Sequence, residues 1–213
     1  MTRGRPATGI VIGAPLPPSR RAEHTMGMPG IAHVWTPDEI RALPDDGRRY
    51  EVVRGELLVT PSPTFPHQDA VGRMFLLLRD YTDRSGTGYA LMSPADIEPE
   101  VGALVQPDVF VGPLSQGRRP RSWVDFSHLL LAVEVLSPST ARADRTVKRR
   151  LFQRSGVPEY WIVDLEAGLV ERWRPADDRP EVLTDALRWQ PDPTIDPMEI
   201  DLSAFFRQVQ GED

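Results

Sequence analysis

The sequence contains no cysteine, and only one of its 25 basic residues, Lys148, is a lysine. Without cysteine the chain can form neither a disulfide nor a thiolate metal site, and we expect a cytoplasmic protein. No run of about 18 apolar residues occurs, so the sequence predicts no membrane span and no membrane partner. A basic excess is missing too. The net charge is −6, so a polyanion would need a local basic patch or a metal ion.

The length and composition indicate one globular domain. The 213 residues are 40% hydrophobic and 26% charged, as in soluble proteins with an ordinary core. Residues 1–33 are rich in proline, glycine and arginine and lack hydrophobic periodicity, so we predict a disordered tail there. We place a single domain at 34–205 and a short tail at 206–213.

Hydrophobic periodicity from Trp35 onward predicts an α/β protein in which helices pack on a sheet. TPDEIRALP has the pattern of a short capped helix, and YEVVRGELLVTPSP that of a β-hairpin turning at Arg54-Gly55. The proline- and aspartate-rich segment after 175 predicts only one short helix, near IDLSAFFRQV. Between them we predict a helix, three strands, a helix and two strands, in HQDAVGRMFLLLRDYTDR, YALM, LVQPDVFVG, HLLLAVEVLSP, TARADRTVKRRLFQRSG, EYWIVD and LVERWRP.

Two apolar strands of the predicted core each contain one acid. Asp108 lies in VQPDVFV and Glu134 in LLLAVEVL. A carboxylate is costly to bury without a partner, so a salt bridge or an exposed strand end would explain either residue alone. Together, on consecutive strands, they favour a shared cation. Their oxygen donors suit Mg²⁺, which takes one or two protein carboxylates and keeps several waters.

Lys148 lies 14 residues after Glu134, on the helix that directly follows that strand. The arginines around it show that the helix is basic, which would make Lys148 an ordinary solvated cation. However, a compact ammonium differs from the wide fork of arginine, and the chain places its single lysine here. We therefore interpret Lys148 as the fixed positive group of a site. Asp144, four residues earlier, shares its helix face.

These segments together resemble one known family. The hairpin YEVVRGELLVTPSP, a histidine-led helix, QPDVFV and LLLAVEVLSPSTARADRTVKRRLFQRSGVPEYWIVD resemble, in the same order, the motifs of the Uma-type restriction endonuclease family. That family belongs to the PD-(D/E)XK nuclease superfamily, and the resemblance covers residues 35–175. It implies a restriction-endonuclease-like fold, in which helices flank a mixed central β-sheet, here preceded by the hairpin.

The resemblance also implies a metal-dependent endonuclease that hydrolyses phosphodiester bonds of DNA. Asp108, which follows Pro107, and Glu134 would bind Mg²⁺, with Mn²⁺ able to substitute. The superfamily lysine normally stands two residues after the second acid, and this chain has Leu136 there. In the Uma-type pattern a lysine on the following helix takes over, and Lys148 matches that position. It would support the attacking water or the transition state.

Further site residues follow from the same resemblance. Superfamily members often have an acid near the start of the fold that helps the metal or its waters. Glu56 in the hairpin is the acid in this region, and His67 at the first long helix is a second candidate there. An exposed strand residue and a helix-start residue are the plainer explanations of these two. Asp144 is added because it shares the face of Lys148.

A homodimer stays open, by analogy with nucleases that cut both strands as dimers. Candidate nucleic-acid contacts are Arg118, Arg119, Arg145 and Arg149.

Two other hypotheses remain. Leu136 in the usual lysine position and the acidic net charge also allow a catalytically inactive nuclease-fold module for binding or assembly. A serine hydrolase is disfavoured, because Ser137 and Ser139 lack a neighbouring histidine motif or a nucleophile elbow. Metal dependence discriminates between the nuclease and the inactive module, since only the nuclease requires Asp108 and Glu134 to hold an ion.

Overall fold

The computed structural model describes residues 33–122 and 128–212. The predicted tail at 1–33 lies outside the described residues except for His33, so its disorder stays a prediction. From His33 onward the chain forms one compact unit. No helix in the described part of the chain is long and apolar enough to cross a membrane.

The described chain forms helices separated by groups of strands, and a π-helical segment joins α3 to α4. Their order is α1 Pro37–Arg41, β1 Arg49–Val53, β2 Glu56–Thr60, α2 Phe65–Ser85, β3 Tyr89–Met92, β4 Val109–Gly112, β5 Leu131–Val135, α3 Ala141–Ala143, the π segment Asp144–Lys148, α4 Arg149–Arg154, β6 Glu159–Asp164, β7 Leu169–Trp173, β8 Glu181–Leu183, β9 Ala186–Trp189, β10 Met198–Asp201 and α5 Leu202–Gln210.

The central sheet has six strands in the order β3-β4-β5-β6-β7-β8. Its β5–β6 pair is parallel and the other pairs are antiparallel, so the sheet is mixed. A parallel pair needs a crossover connection, which the helix from α3 to α4 provides between β5 and β6. Two antiparallel hairpins, β1–β2 and β9–β10, complete the fold. The predicted mixed sheet with flanking helices and a leading hairpin is confirmed.

The C-terminal region contains more structure than the sequence interpretation assigned to it. Strands β8, β9 and β10 lie in the segment for which we predicted only a short helix. Leu187, Trp189 and Ile200 alternate with exposed residues and are buried, so the strands have a readable period of two. Helix α5 continues through position 205, where we place the domain boundary, and it buries Phe206 and Val209.

The two faces of the sheet contact different layers. Val133 and Val135 of β5 pack in the cluster that contains the buried residues of α2 and α5. Ala132 of the same strand faces the opposite way and packs with Leu151 and Phe152 of α4. Side chains alternate along a strand, so Glu134 shares the α4 side of the sheet with Ala132. The fold therefore turns this acid toward the helix that carries Lys148.

Candidate active site

Three elements bring the two predicted acids and the lysine together. Val109 pairs with Val133 across the antiparallel β4–β5 ladder, so one step further along that register Asp108 lies opposite Glu134. The backbone N–H of Val135 donates to Asp108 Oδ2 at 2.9 Å, which fixes the carboxylate beside β5. From the helix above, Lys148 Nζ donates to Glu134 Oε1 at 2.9 Å.

Lys148 is surrounded by three carboxylates. Besides the bond to Glu134, its Nζ lies 2.8 Å from Glu51 Oε2 and 3.4 Å from Asp144 Oδ1. All four residues are at most 2% exposed, which removes them from the screening of bulk water. Asp144 Oδ1 is buried and accepts no hydrogen bond from the described residues. The predicted common helix face of Asp144 and Lys148 is therefore present in the structure.

The π segment carries both charged residues of this helix. Asp144 and Lys148 are its first and last residues, and both are buried. A π turn inserts one residue into the helical register and is frequent at functional sites, where it redirects side chains. The hydroxyl of Tyr160 on β6 donates to the Asp144 carbonyl at 3.2 Å, so the sheet below supports the irregular turn.

Asp108 is held by a different set of donors. Arg49 Nη1 and Nη2 both donate to Asp108 Oδ1 at 2.9 Å. His67 Nε2 lies 3.3 Å from Oδ2, the oxygen that also accepts the Val135 N–H. Burial alone would raise the pKa of Asp108, but the hydrogen bond from His67 and the charge of Arg49 lower it to about 2. Asp108 is thus ionised at neutral pH.

The charges around Lys148 shift its own pKa and that of Glu134. Burial would lower the pKa of Lys148, but the carboxylates of Glu134, Glu51 and Asp144 outweigh it and raise that pKa well above its usual value. Burial raises the pKa of Glu134 well above its usual range against the opposing charge of Lys148, and the neighbouring acids add to this rise. Lys148 therefore carries its charge at neutral pH, whereas burial opposes the ionisation of Glu134.

Glu51 links the two sets of contacts. Its Oε2 faces Lys148, while its Oε1 accepts the backbone N–H of Gln106 at 2.7 Å. Arg49, two residues earlier on β1, donates to the Gln106 carbonyl at 2.6 Å. Residues two apart on a strand share a face, so β1 presents Arg49 and Glu51 together to the end of the sheet.

A cleft of about 140 Å³ leads to the cluster. One wall is strand β2, from Leu57 to Thr60, and the other is the start of the helix, with Ser139 and Thr140 at its edge. Glu51, Asp144 and Lys148 line the cleft as well. Glu51, Asp144 and Lys148 are therefore buried but border the cleft, and Glu134 contacts the cleft-lining Lys148 from behind.

Two of the three predicted accessory residues lie in the cluster, and one does not. His67 and Asp144 both belong to the cluster, through Asp108 and Lys148. Glu56 does not, because it is exposed beside the hairpin turn and pairs with Val53.

The four arginines considered for nucleic-acid contacts lie outside the cluster's contacts. Arg145 donates to Asp164 and Glu171, each at 2.7 Å. Arg149 lies over the Trp173 ring at 4.5 Å. Arg118 and Arg119 are exposed in the loop after β4. Their role in binding stays a prediction.

Two residues of the cluster, Arg49 and Glu51, were missed in the sequence. The alternation of Arg49, Glu51 and Val53 in RYEVV could have indicated one face of β1. Val53 is buried in the core beside α4, so the face that carries it also turns the two charges inward. The sequence interpretation instead selected Glu56, which lies two residue pairs closer to the hairpin turn than Glu51.

Comparisons with known proteins agree with this fold. The model of a family described as "Uma2: Putative restriction endonuclease" matches residues 37–203. The structure is similar to a crystal structure of a putative nuclease belonging to DUF820 from Anabaena variabilis, with a TM-score of 0.63 and 16% identity, covering 82% of this chain and 99% of that chain. At that identity the likeness shows the fold. No curated protein matches the chain. Since the family model spans most of the sequence, the chain belongs to the Uma2 family of putative restriction endonucleases.

Proposed function

We propose that the protein is a Mg²⁺-dependent endonuclease that hydrolyses phosphodiester bonds of DNA, with Asp108 and Glu134 binding the metal and Lys148 supporting the reaction. The family supports nuclease activity in general. The observation that carries the finer proposal is a charge imbalance at the end of the cleft. Four buried carboxylates, those of Glu51, Asp108, Glu134 and Asp144, face only two permanent cations, Lys148 and Arg49.

The residues of the cluster fit a divalent cation. With all four carboxylates ionised, the cluster would carry two surplus negative charges, the charge of one Mg²⁺ ion, and carboxylate oxygens are the ligands that this ion prefers. Buried charge without compensation is costly, so the surplus favours a cation over any neutral occupant. When bound, Mg²⁺ makes a water more acidic and neutralises charge that builds on a phosphoryl oxygen.

Lys148 supplies a fixed positive charge for the reaction. Three carboxylates hold its ammonium in place, so it needs no reorganisation when negative charge develops on the attacked phosphate. Leu136, in the usual lysine position, is half-buried and packs against the core on the α4 side. The bond from Lys148 to Glu134 therefore supports the replacement of the superfamily lysine by one on the following helix.

A supercoiled plasmid tests the proposal. We expect nicking or cleavage with Mg²⁺ or Mn²⁺, none after chelation, and none in Asp108→Ala or Glu134→Ala. Glu56→Ala is the matched control, because it removes an exposed acid from the same fold, and it should cut like the parent. Parallel reactions with single-stranded DNA and RNA define the substrate. Folded parent protein that cuts no nucleic acid with either metal contradicts the proposal.

A non-catalytic binding or assembly module of the same fold is the second candidate. Two observations favour it, the first being that both oxygens of Asp108 already accept donors from Arg49, Val135 and His67. In addition, no three His, Asp or Glu side chains among the described residues converge as a set of metal ligands. Association with nucleic acid that is independent of metal, together with full tolerance of Lys148→Met, would support this module. A cytoplasmic location is a further prediction of both candidates.

A further inference from the structure

Arg49 is the cation that neutralises Asp108 in this structure. Its two terminal nitrogens grip one carboxylate oxygen, and Nη1 also donates to the Gln106 carbonyl. Burial would lower the pKa of Arg49, but Asp108, Glu134 and Glu51 raise it, so the guanidinium lies in the field of three acids. It therefore compensates the same carboxylates that a divalent cation would compensate.

Arg49 is also the most exposed of the side chains that make the ion-pair contacts of the cluster. Its side chain is 18% exposed, compared with 5% for Asp108 and 3% for Lys148. Lys148 has acids on three sides, whereas Arg49 reaches the cluster from the first residue of β1. Because its side chain is partly exposed and lies at the start of a strand, we infer that it can leave Asp108 without unpacking the core.

We propose that Arg49 exchanges with the divalent cation at Asp108, and that the released guanidinium then binds a phosphate of the nucleic-acid strand. This inference rests on the proposed function. While Arg49 keeps its present bonds, both oxygens of Asp108 already accept a hydrogen bond. A second cation at the same carboxylate oxygen would be repelled by the guanidinium. The planar fork of arginine binds phosphate in the same two-pronged way as it binds carboxylate. Arg49 would thus move from a carboxylate of the protein to a phosphate of the substrate.

Binding of Mn²⁺ without nucleic acid is the first readout. We expect Arg49→Met to bind Mn²⁺ about tenfold more tightly than the parent in calorimetric titration, since the competing cation is gone. A purely structural role predicts the opposite, because loss of the Asp108 contacts would loosen the site. Arg48→Met is the matched control. It removes a neighbouring exposed arginine that contacts Asp46, and its affinity should equal that of the parent.

Binding of duplex DNA is the second readout. With Ca²⁺ in place of Mg²⁺, we expect Arg49→Met to bind a labelled duplex more weakly, and the slope of log affinity against log salt to fall by about one phosphate contact. Arg49→Lys keeps the charge and loses the fork. It should retain the salt slope and regain part of the affinity that Arg49→Met loses.

A third measurement uses the parent protein, in case Arg49→Met does not fold. The side-chain N–H resonances of Arg49 should shift and exchange faster with solvent when Mg²⁺ is added. Unchanged resonances under saturating Mg²⁺, or Mn²⁺ affinity in a folded Arg49→Met that is equal to or weaker than that of the parent, would overturn the exchange and leave the proposed nuclease intact. A parent that binds neither metal overturns the proposed function and the exchange with it.

Discussion

The protein contains two dense groups of charges that differ in balance. The cleft cluster, defined by Glu51, Asp108, Glu134, Asp144, Lys148, Arg49 and His67, is largely buried, and its four acids outnumber its two permanent cations by two. The other group, which we call the β7–β8 network, has two acids and two cations. It consists of Glu159, Arg172, Arg174 and Glu181.

The β7–β8 network needs no further ion. Arg172 donates twice to Glu181, at 2.7 and 3.0 Å, and Arg174 donates to the same oxygen at 3.1 Å. Glu181 and Arg174 are 44% and 43% exposed, so water screens their ion pair, whereas Arg172 and Glu159 are 10% and 16% exposed. Ion pairs of this kind connect strands and contribute little else. The cleft cluster thus differs from the β7–β8 network both in charge balance and in burial, which supports it as the candidate site.

We expect the largest difference in cleavage rate when one cation of each group is replaced by the other kind of basic residue. Lys148→Arg keeps the charge but brings a wide fork into a space built for a compact ammonium, so we expect cleavage to fall by roughly 100-fold or more. Arg174→Lys in the β7–β8 network should cut at the parent rate. Initial rates of plasmid nicking at saturating Mg²⁺ measure both. Full activity of Lys148→Arg would leave Lys148 with only a structural role as a buried counter-ion.

Glu51 gives the next contrast, this time between two acids of one hairpin. Glu51→Gln removes a charge that lies 2.8 Å from Lys148 Nζ, so the ammonium loses one of its three supports. We expect cleavage to fall by about 10- to 100-fold, as for residues that orient a catalytic group. Glu56→Gln, at the exposed end of the same hairpin, should leave the rate unchanged. Equal rates in the two variants would remove Glu51 from the site.

Much of the fold could be predicted from the sequence because its elements follow simple periods. The alternation around Arg54-Gly55 predicts the hairpin, and both residues have positive φ angles, 54° and 78°, as a tight turn requires. Glu134 could be selected because an acid in a fully apolar strand needs a partner. Lys148 could be selected because the chain has no other lysine. These signals depend on single residues and their immediate neighbours.

What the sequence could not show depends on how separate elements dock. Alternation indicates that Arg49 and Glu51 share a face of β1, but not that this face meets the end of the central sheet. The backbone bonds between Val52 and Leu104, both 2.8 Å, fix that docking, and they join residues far apart in the chain. The π segment is equally hidden. The apolar pattern of TARADRTVKRR predicts a helix without indicating a π turn, and the Tyr160 hydroxyl that donates to the Asp144 carbonyl comes from a separate strand.

Metal binding gives a smaller contrast, which appears in thermal stability. At a Mn²⁺ concentration of 100 times the dissociation constant, binding stabilises the fold by about 2.7 kcal/mol, or roughly 5–10 °C in Tm for a chain of this size. The parent should show this rise in differential scanning fluorimetry. Asp108→Asn should lose it, because a carboxylate ligand is gone, whereas Glu181→Gln in the β7–β8 network should keep it. A parent that shows no rise would support the non-catalytic module.

The smallest contrast concerns pH and the surplus of acids. Burial raises the pKa of Glu134 above its value in the unfolded chain, so between those two values the folded state binds more protons than the unfolded state. The contribution of this residue to the free energy of unfolding therefore increases as the pH falls from 7 to 5 without metal. Asp108, with its pKa lowered to about 2, loses its stabilising charge only at far lower pH and stays outside this window.

Urea unfolding of the parent and of Glu134→Gln at both pH values isolates this effect, because all other titrating groups are common to the two proteins. The gain should be smaller in Glu134→Gln than in the parent, because Asp144 and Glu159, whose pKa values burial also raises, remain in both proteins. It should remain in Glu181→Gln, since the paired arginines lower the pKa of Glu181 and its stabilising contribution is complete above the acid range. Saturating Mg²⁺ should also reduce the gain in the parent, because a bound cation holds Glu134 ionised at both pH values. The same gain in parent and Glu134→Gln would mean that Lys148 already balances this carboxylate, and the cleft cluster would then resemble the β7–β8 network.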